Sequence, residues 1–115
     1  MTVDNRVDRY LDDLRSFGDQ AAYIVAQGRS EHIAATARGT MLRNAGERVL
    51  IKVATVVERL PDEFTSAHPE IEWAKIRRMR NLVAHHYDHV DDLLWAALSR
   101  RIPDLVNTIN HLPAA

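Results

Sequence analysis

The sequence contains no cysteine among its 115 residues, which removes disulfides, thiolate metal sites and cysteine nucleophiles together. Glycine and proline are scarce, four of each, and nowhere is a Val/Ile/Thr alternation sustained. Few breakers and no period-two pattern argue against a sheet and for an all-α fold. No apolar run approaches the roughly 18 to 20 residues that a membrane span requires. The opening residues, Met1-Thr2-Val3-Asp4-Asn5-Arg6, are charged from the start and carry no signal-peptide core. A cytoplasmic protein without membrane contact is the expectation. Fifteen Lys and Arg oppose sixteen Asp and Glu, a formal net charge of -1. There is no global basic field, so any polyanionic partner must be held by a local patch. What is present is ordinary for a folded soluble domain: 46% hydrophobic and 27% charged residues. The length suits one domain and hardly two, so residues 1–115 are read as a single unit.

Apolar positions recur at helical spacing. Val7, Tyr10, Leu11, Leu14, Phe17, Ala21, Ile24 and Val25 form one stripe. Thr2 is the predicted N-cap, Asp4 sits in the first turn, and Gly28 is the predicted stop. Gly18 lies inside the stripe and should weaken it by about 1 kcal/mol relative to Ala. Residues 29–39 fit either a loop or the first turns of the next helix, with Ser30 as a candidate cap. From Thr40, the positions Leu42, Ala45, Val49, Val53, Val56, Val57 and Leu60 predict a second helix that Pro61 ends. Its β-branched residues would also suit a strand, but period and length favour a helix. A connection with at most a helical turn should run to Pro69. Trp73, Ile76, Met79 and Val83 mark a third run, and a fourth extends from Val90 to Leu112, with Pro103 predicted to break or kink it near Arg101 or Ile102. The expected architecture is an up-and-down bundle of four or five helices.

Chemistry concentrates in one segment. Three of the six histidines, His85, His86 and His89, fall within five residues. Just upstream lie Lys75, Arg77, Arg78 and Arg80, which against Glu72 give residues 72–87 a local formal charge of +3. Arginine and histidine together suit the cleavage of RNA, which carries its own 2′-hydroxyl nucleophile. One imidazole takes that proton, another protonates the departing 5′-oxygen, and a guanidinium holds the phosphate. No metal or other cofactor is needed, and the products are a 2′,3′-cyclic phosphate and a 5′-hydroxyl. Asn81 and His85 share a helix face, whereas Arg80 and His85 are about 140° apart around a continuous helix. Both reach one phosphate only if Arg80 swings round or the helix loosens near His85. One His85 cannot be base and acid at once, which points to a two-fold homodimer.

Arg80-Asn81-x-x-x-His85-x-Tyr87 resembles the Arg-x-x-x-x-His-x-Tyr signature of HepT-like toxins in the HEPN superfamily. The likeness extends to the Arg6–Leu11 opening, to Leu42–Val49 with Gly46-Glu47, to the Glu72–Ile76 lead-in and to Ile102-Pro103-x-Leu105. The resemblance implies a HEPN-like helical dimer that cleaves RNA without metal at its dimer cleft, as the toxin of a toxin–antitoxin pair. It implies catalytic roles for Arg80 and His85, a shaping role for Asn81, and AMP addition at Tyr87 by an MntA-like nucleotidyltransferase antitoxin. His86 adds a second imidazole with a supporting role.

Other readings compete. A HEPN-like chain of this kind is alternatively a non-catalytic helical module that partners a nucleotidyltransferase. His85 and His89, four apart and near Asp88, Asp91 and Asp92, invite a metal, although the two aspartates at 91 and 92 equally suit the start of a helix. Tyr87 fits a buried aromatic as well as a modification site. Trp73 and Trp95 are read as packing, and Glu47 as a candidate partner for an arginine of the motif.

Overall fold

The computed structural model describes residues 5–85 and 90–112. The predicted cap at Thr2 and the acidic Asp4 lie outside them. Helix α1 runs Asn5–Ala26, α2 Arg29–Ile33, α3 Ala37–Arg59 and α4 Asp62–Ala67. Helix α5 is Trp73–Arg77, α6 Met79–His85, α7 Val90–Ala96, and α8 Ile102–Asn110, with a π-helical turn, Ala97–Arg101, joining the last two. The described residues are helical with no strand, an all-α fold. Four long helical runs carry it, and α2 and α4 are short connections.

The predicted stripes form the core, except at Ala45, which the register of α3 turns to the exposed side. Leu14, Ala21 and Ile24 of α1 meet Val49, Leu50, Val53 and Val57 of α3, and Leu94, Leu98, Ile102, Leu105 and Ile109 close the core from the last run. Each such Val, Leu or Ile contributes about 1.5–3 kcal/mol by leaving water. Helix α3 is the common partner, packing against α1, α2, α5, α6 and α7.

Several local expectations need correction. Gly28 does end α1, at a φ of 94° that favours glycine. Ser30 caps nothing, because it lies inside α2; the cap of α3 is Thr36, whose Oγ1 accepts from the Gly39 N–H at 3.0 Å. Residues 29–39 combine a separate one-turn helix, an elbow at 34–36 and, from Ala37, the first turn of α3. That elbow is held by Arg43, whose Nη1 donates to the carbonyls of His32 and Ala34, each at 2.9 Å. Pro103 does not break its helix. Backbone angles stay helical from Ala96 to Ile102, and the π-turn widens the chain just before the proline, which sits in the first turn of α8.

The glycines mark close approaches. A Cβ on Gly18 would come 2.8 Å from Val106 Cγ2, so this residue lets α1 approach α8 rather than simply weakening its helix. On Gly46 it would come 2.7 Å from Leu98 Cδ1, a side-chain end that can give way. On Gly39 it would come 2.1 Å from the Ala34 carbonyl oxygen, which is backbone and cannot.

Gly39→Ala therefore lowers stability, by about 1–3 kcal/mol from overpacking, although Ala is the better helix former. Urea unfolding followed by circular dichroism measures this. An unchanged or raised midpoint would show that the elbow does not pin α3.

Candidate functional site

The segment leading into the site is tied down at Trp73. Its ring is buried, and its indole N–H donates to the carbonyls of Thr65 at 3.1 Å and His68 at 3.0 Å. Phe64 packs edge-on against the same ring, with centroids 6.1 Å apart. The start of α5 is thereby fixed to α4. Arg78 separates α5 from α6, and the Asn81 N–H returns to the Arg78 carbonyl at 2.9 Å. Met79 is buried in the core, and Leu82 and Val83 pack at its edge, which settles the rotation of α6 about its axis.

That rotation brings Arg80 to α3. Its Nη2 donates to Thr55 Oγ1 at 2.9 Å and to Glu58 Oε2 at 3.0 Å. The ion pair is half-exposed. Both bonds use the two hydrogens of Nη2, leaving the Nε and Nη1 donors for another acceptor. Asn81 is exposed on the neighbouring face. His85 is the last residue of α6, in the same unbroken helix as Arg80. The register then sets His85 about 40° from Asn81 and about 140° from Arg80. The swing of Arg80 toward His85 that a shared phosphate would need is not the conformation seen, since its guanidinium lies on α3. His86, Tyr87, Asp88 and His89 lie outside the described residues, and with them the modification site and the competing His85/His89 metal site.

Two further expectations are settled by these contacts. Glu47 is not the acidic partner of Arg80; Glu58 is. Thr55 and Glu58 escaped the sequence reading because a bond across more than twenty residues leaves no local trace, although their spacing of three does place them on adjoining positions of one helix. The +3 segment is also partly neutralised, by Glu58 from outside it. Within it, Lys75 pairs with Glu72, whose charge that sum already includes. The hydrogen bond from Lys75, reinforced by its charge, holds the Glu72 carboxyl below the usual glutamate range. Glu72 and Lys75 line a recess of about 270 Å³ together with Arg101, Asp104 and Thr108. A broader recess of about 510 Å³ takes in Trp73, Arg77 and Arg78. Neither includes Arg80 or Asn81.

An all-helical protein that anchors an arginine between two helices, five residues ahead of a histidine, is the class these observations define. The family model described as "Ribonuclease HepT-like" matches residues 7–112. The chain belongs to this HepT-like ribonuclease family, within the HEPN superfamily. It is 36% identical over 66 residues to "Probable ribonuclease HepT" of Thermococcus cleftensis, covering 56% of this chain and 60% of that protein. It is 24% identical over 66 residues to "Putative RNase MJ0127" of Methanocaldococcus jannaschii, covering 56% of this chain and 54% of that one. The chain thus spans little more than half the length of these curated relatives. No solved structure matches it significantly.

An exposed ion pair contributes little to folding. Glu58→Gln is therefore expected to change the unfolding free energy by no more than about 1 kcal/mol, as read by chemical denaturation. A loss several times larger would mean that the pair holds α6 on α3 rather than orienting one side chain.

Proposed function

We propose that the protein is a metal-independent endoribonuclease, the toxin of a toxin–antitoxin pair. The observation that carries this reading is Arg80 anchored on α3 by Thr55 and Glu58 while retaining free donors, in a chain of the HepT-like ribonuclease family. Arg80 holds the scissile phosphate and stabilises charge growing on its oxygens. A His85 imidazole removes the proton of the 2′-hydroxyl. The O2′–P bond forms and the P–O5′ bond breaks, and a second imidazole delivers a proton to O5′. A two-fold homodimer supplies that second imidazole from its other His85, with His86 in a supporting role. Asn81, close to His85 by register, shapes the same face. An MntA-like nucleotidyltransferase acts as antitoxin by adding AMP to Tyr87, which puts bulk and negative charge where the RNA phosphate must enter. The site of action is the cytoplasm.

Arg80→Ala and His85→Ala are each expected to abolish cleavage of RNA while circular dichroism reports unchanged helix content. Full activity in both variants would remove the assignment. Cleavage should persist in EDTA. Loss on chelation with rescue by a divalent ion would favour the His85/His89 metal site instead. Intact-mass analysis after co-expression with a small nucleotidyltransferase encoded beside this chain should find AMP on the wild type and none on Tyr87→Phe. A protein that neither cuts RNA nor slows growth, yet still binds that enzyme, would be the non-catalytic module.

A further inference from the structure

We infer that the outer face of α3 is a track for the RNA backbone leading to Arg80; the inference rests on the ribonuclease reading above. Arg48, Lys52, Thr55 and Arg59 are spaced four, three and four residues apart, which returns them to one side of the helix over about 16 Å. The remaining positions on that face, 41, 44, 45 and 51, are uncharged; the nearest carboxylate is Glu58 at its edge, which pairs with Arg80 at 3.0 Å. Arg48 and Arg59 are exposed, and among the described residues neither has an ion-pair or hydrogen-bond partner. That contrasts with Arg15, Arg29 and Arg38, which are each paired with an acid. Lys52 is half-buried, with its ammonium 5.7 Å from the centre of the Phe17 ring, which braces the charge at the surface.

The guanidinium of Arg80 joins this row through its bond to Thr55, between Lys52 and Arg59. Three cations on one rigid helix and a fourth delivered by α6 form a line of positive charge with the proposed phosphate clamp inside it. A polyanion fits that line. A second copy of the same face does not, since a two-fold interface there would set arginine against arginine. The interactions are with phosphate and carry no base preference, so the track adds affinity and register rather than sequence choice.

The test measures binding of a short fluorescein-labelled single-stranded RNA of mixed sequence at several salt concentrations. The proteins carry His85→Ala so that the RNA stays intact. Adding Arg48→Ala, Lys52→Ala and Arg59→Ala together should weaken binding and flatten the slope of log Kd against log salt by about 2, near 0.7 for each phosphate that is no longer neutralised. The charge-keeping pair Arg48→Lys and Arg59→Lys should leave the slope unchanged. The same triple change with His85 intact should raise KM with little effect on kcat.

A control removing Arg100 and Arg101, exposed residues of the π-turn and not of α3, should leave the slope in place; an equal loss there would reduce the effect to net charge and overturn the track. An unaltered slope and KM in the triple variant would overturn it too. So would a changed mass by light scattering, which would make the face a contact between copies. If the triple variant loses helix content, Arg59→Ala alone decides, with an expected slope change of about 0.7. Failure of the wild type to bind or cut RNA would sink the ribonuclease reading, whereas wild-type cleavage with an unshifted KM in the triple variant would sink the track alone.

Discussion

Everything in this molecule is referred to the burial of one side of α3. Val49, Leu50, Val53, Val56 and Val57 are covered by the first helix, by the α5–α6 segment and by the last helical run. A helix packed from several directions cannot rotate without exposing part of that side, at a cost of several kcal/mol for even two valines. Its position along its axis is held as well, by the elbow at Gly39 and Arg43 at one end and by the approach of Leu98 to Gly46 further on. Rotation and translation of α3 are therefore both set by the core. The positions that face outward follow from that, and with them the two oxygens that receive Arg80.

Linear charge counting misplaced the electrostatics for a related reason. Residues 72–87 carry the densest run of cations in the chain, but Glu72 and Glu58 meet two of them. The outer face of α3 looks ordinary when read along the chain, because Glu47 and Glu58 are interleaved with its cations. Only the helical period separates the two sets, and only the fold says which side is covered.

Amphipathic stripes were legible because burial imposes a period on the sequence, and a 3.6-residue period has one structural meaning over twenty residues. That Arg80 and His85 share one helix was legible for a different reason: their spacing lies within a short stretch of chain. Thr55 and Glu58 were not, since their relation to Arg80 exists only after two helices dock. The end of α1 at Gly28 was readable from one residue type, but the cap of α3 was not, because Ser30 and Thr36 both fit the preference and only the position of the α2–α3 break selects Thr36. Pro103 misled for a physical reason too. A proline forbids the N–H bond but not the helix, and a π-turn placed just before it accommodates the ring while Leu98 and Ile102 remain in the core.

The pairing of Arg80 with Glu58 at first works against a phosphate site, because a carboxylate 3.0 Å away offsets part of the guanidinium charge. The geometry resolves the conflict. Arginine has five donors, and this carboxylate and the Thr55 hydroxyl share a single nitrogen. What remains is a planar group held through one nitrogen, half-exposed, with its other donors unused by those two bonds. A freely rotating arginine would present a full charge but lose rotamer freedom on meeting each phosphate, a cost of the order of 1–2 kcal/mol. On the proposed reading, that ordering is done before the phosphate arrives, by a half-exposed pair that solvent screens in any case. In the proposed site, Glu58 thus exchanges field strength for orientation, and the cations of the α3 face are the groups that would restore the field.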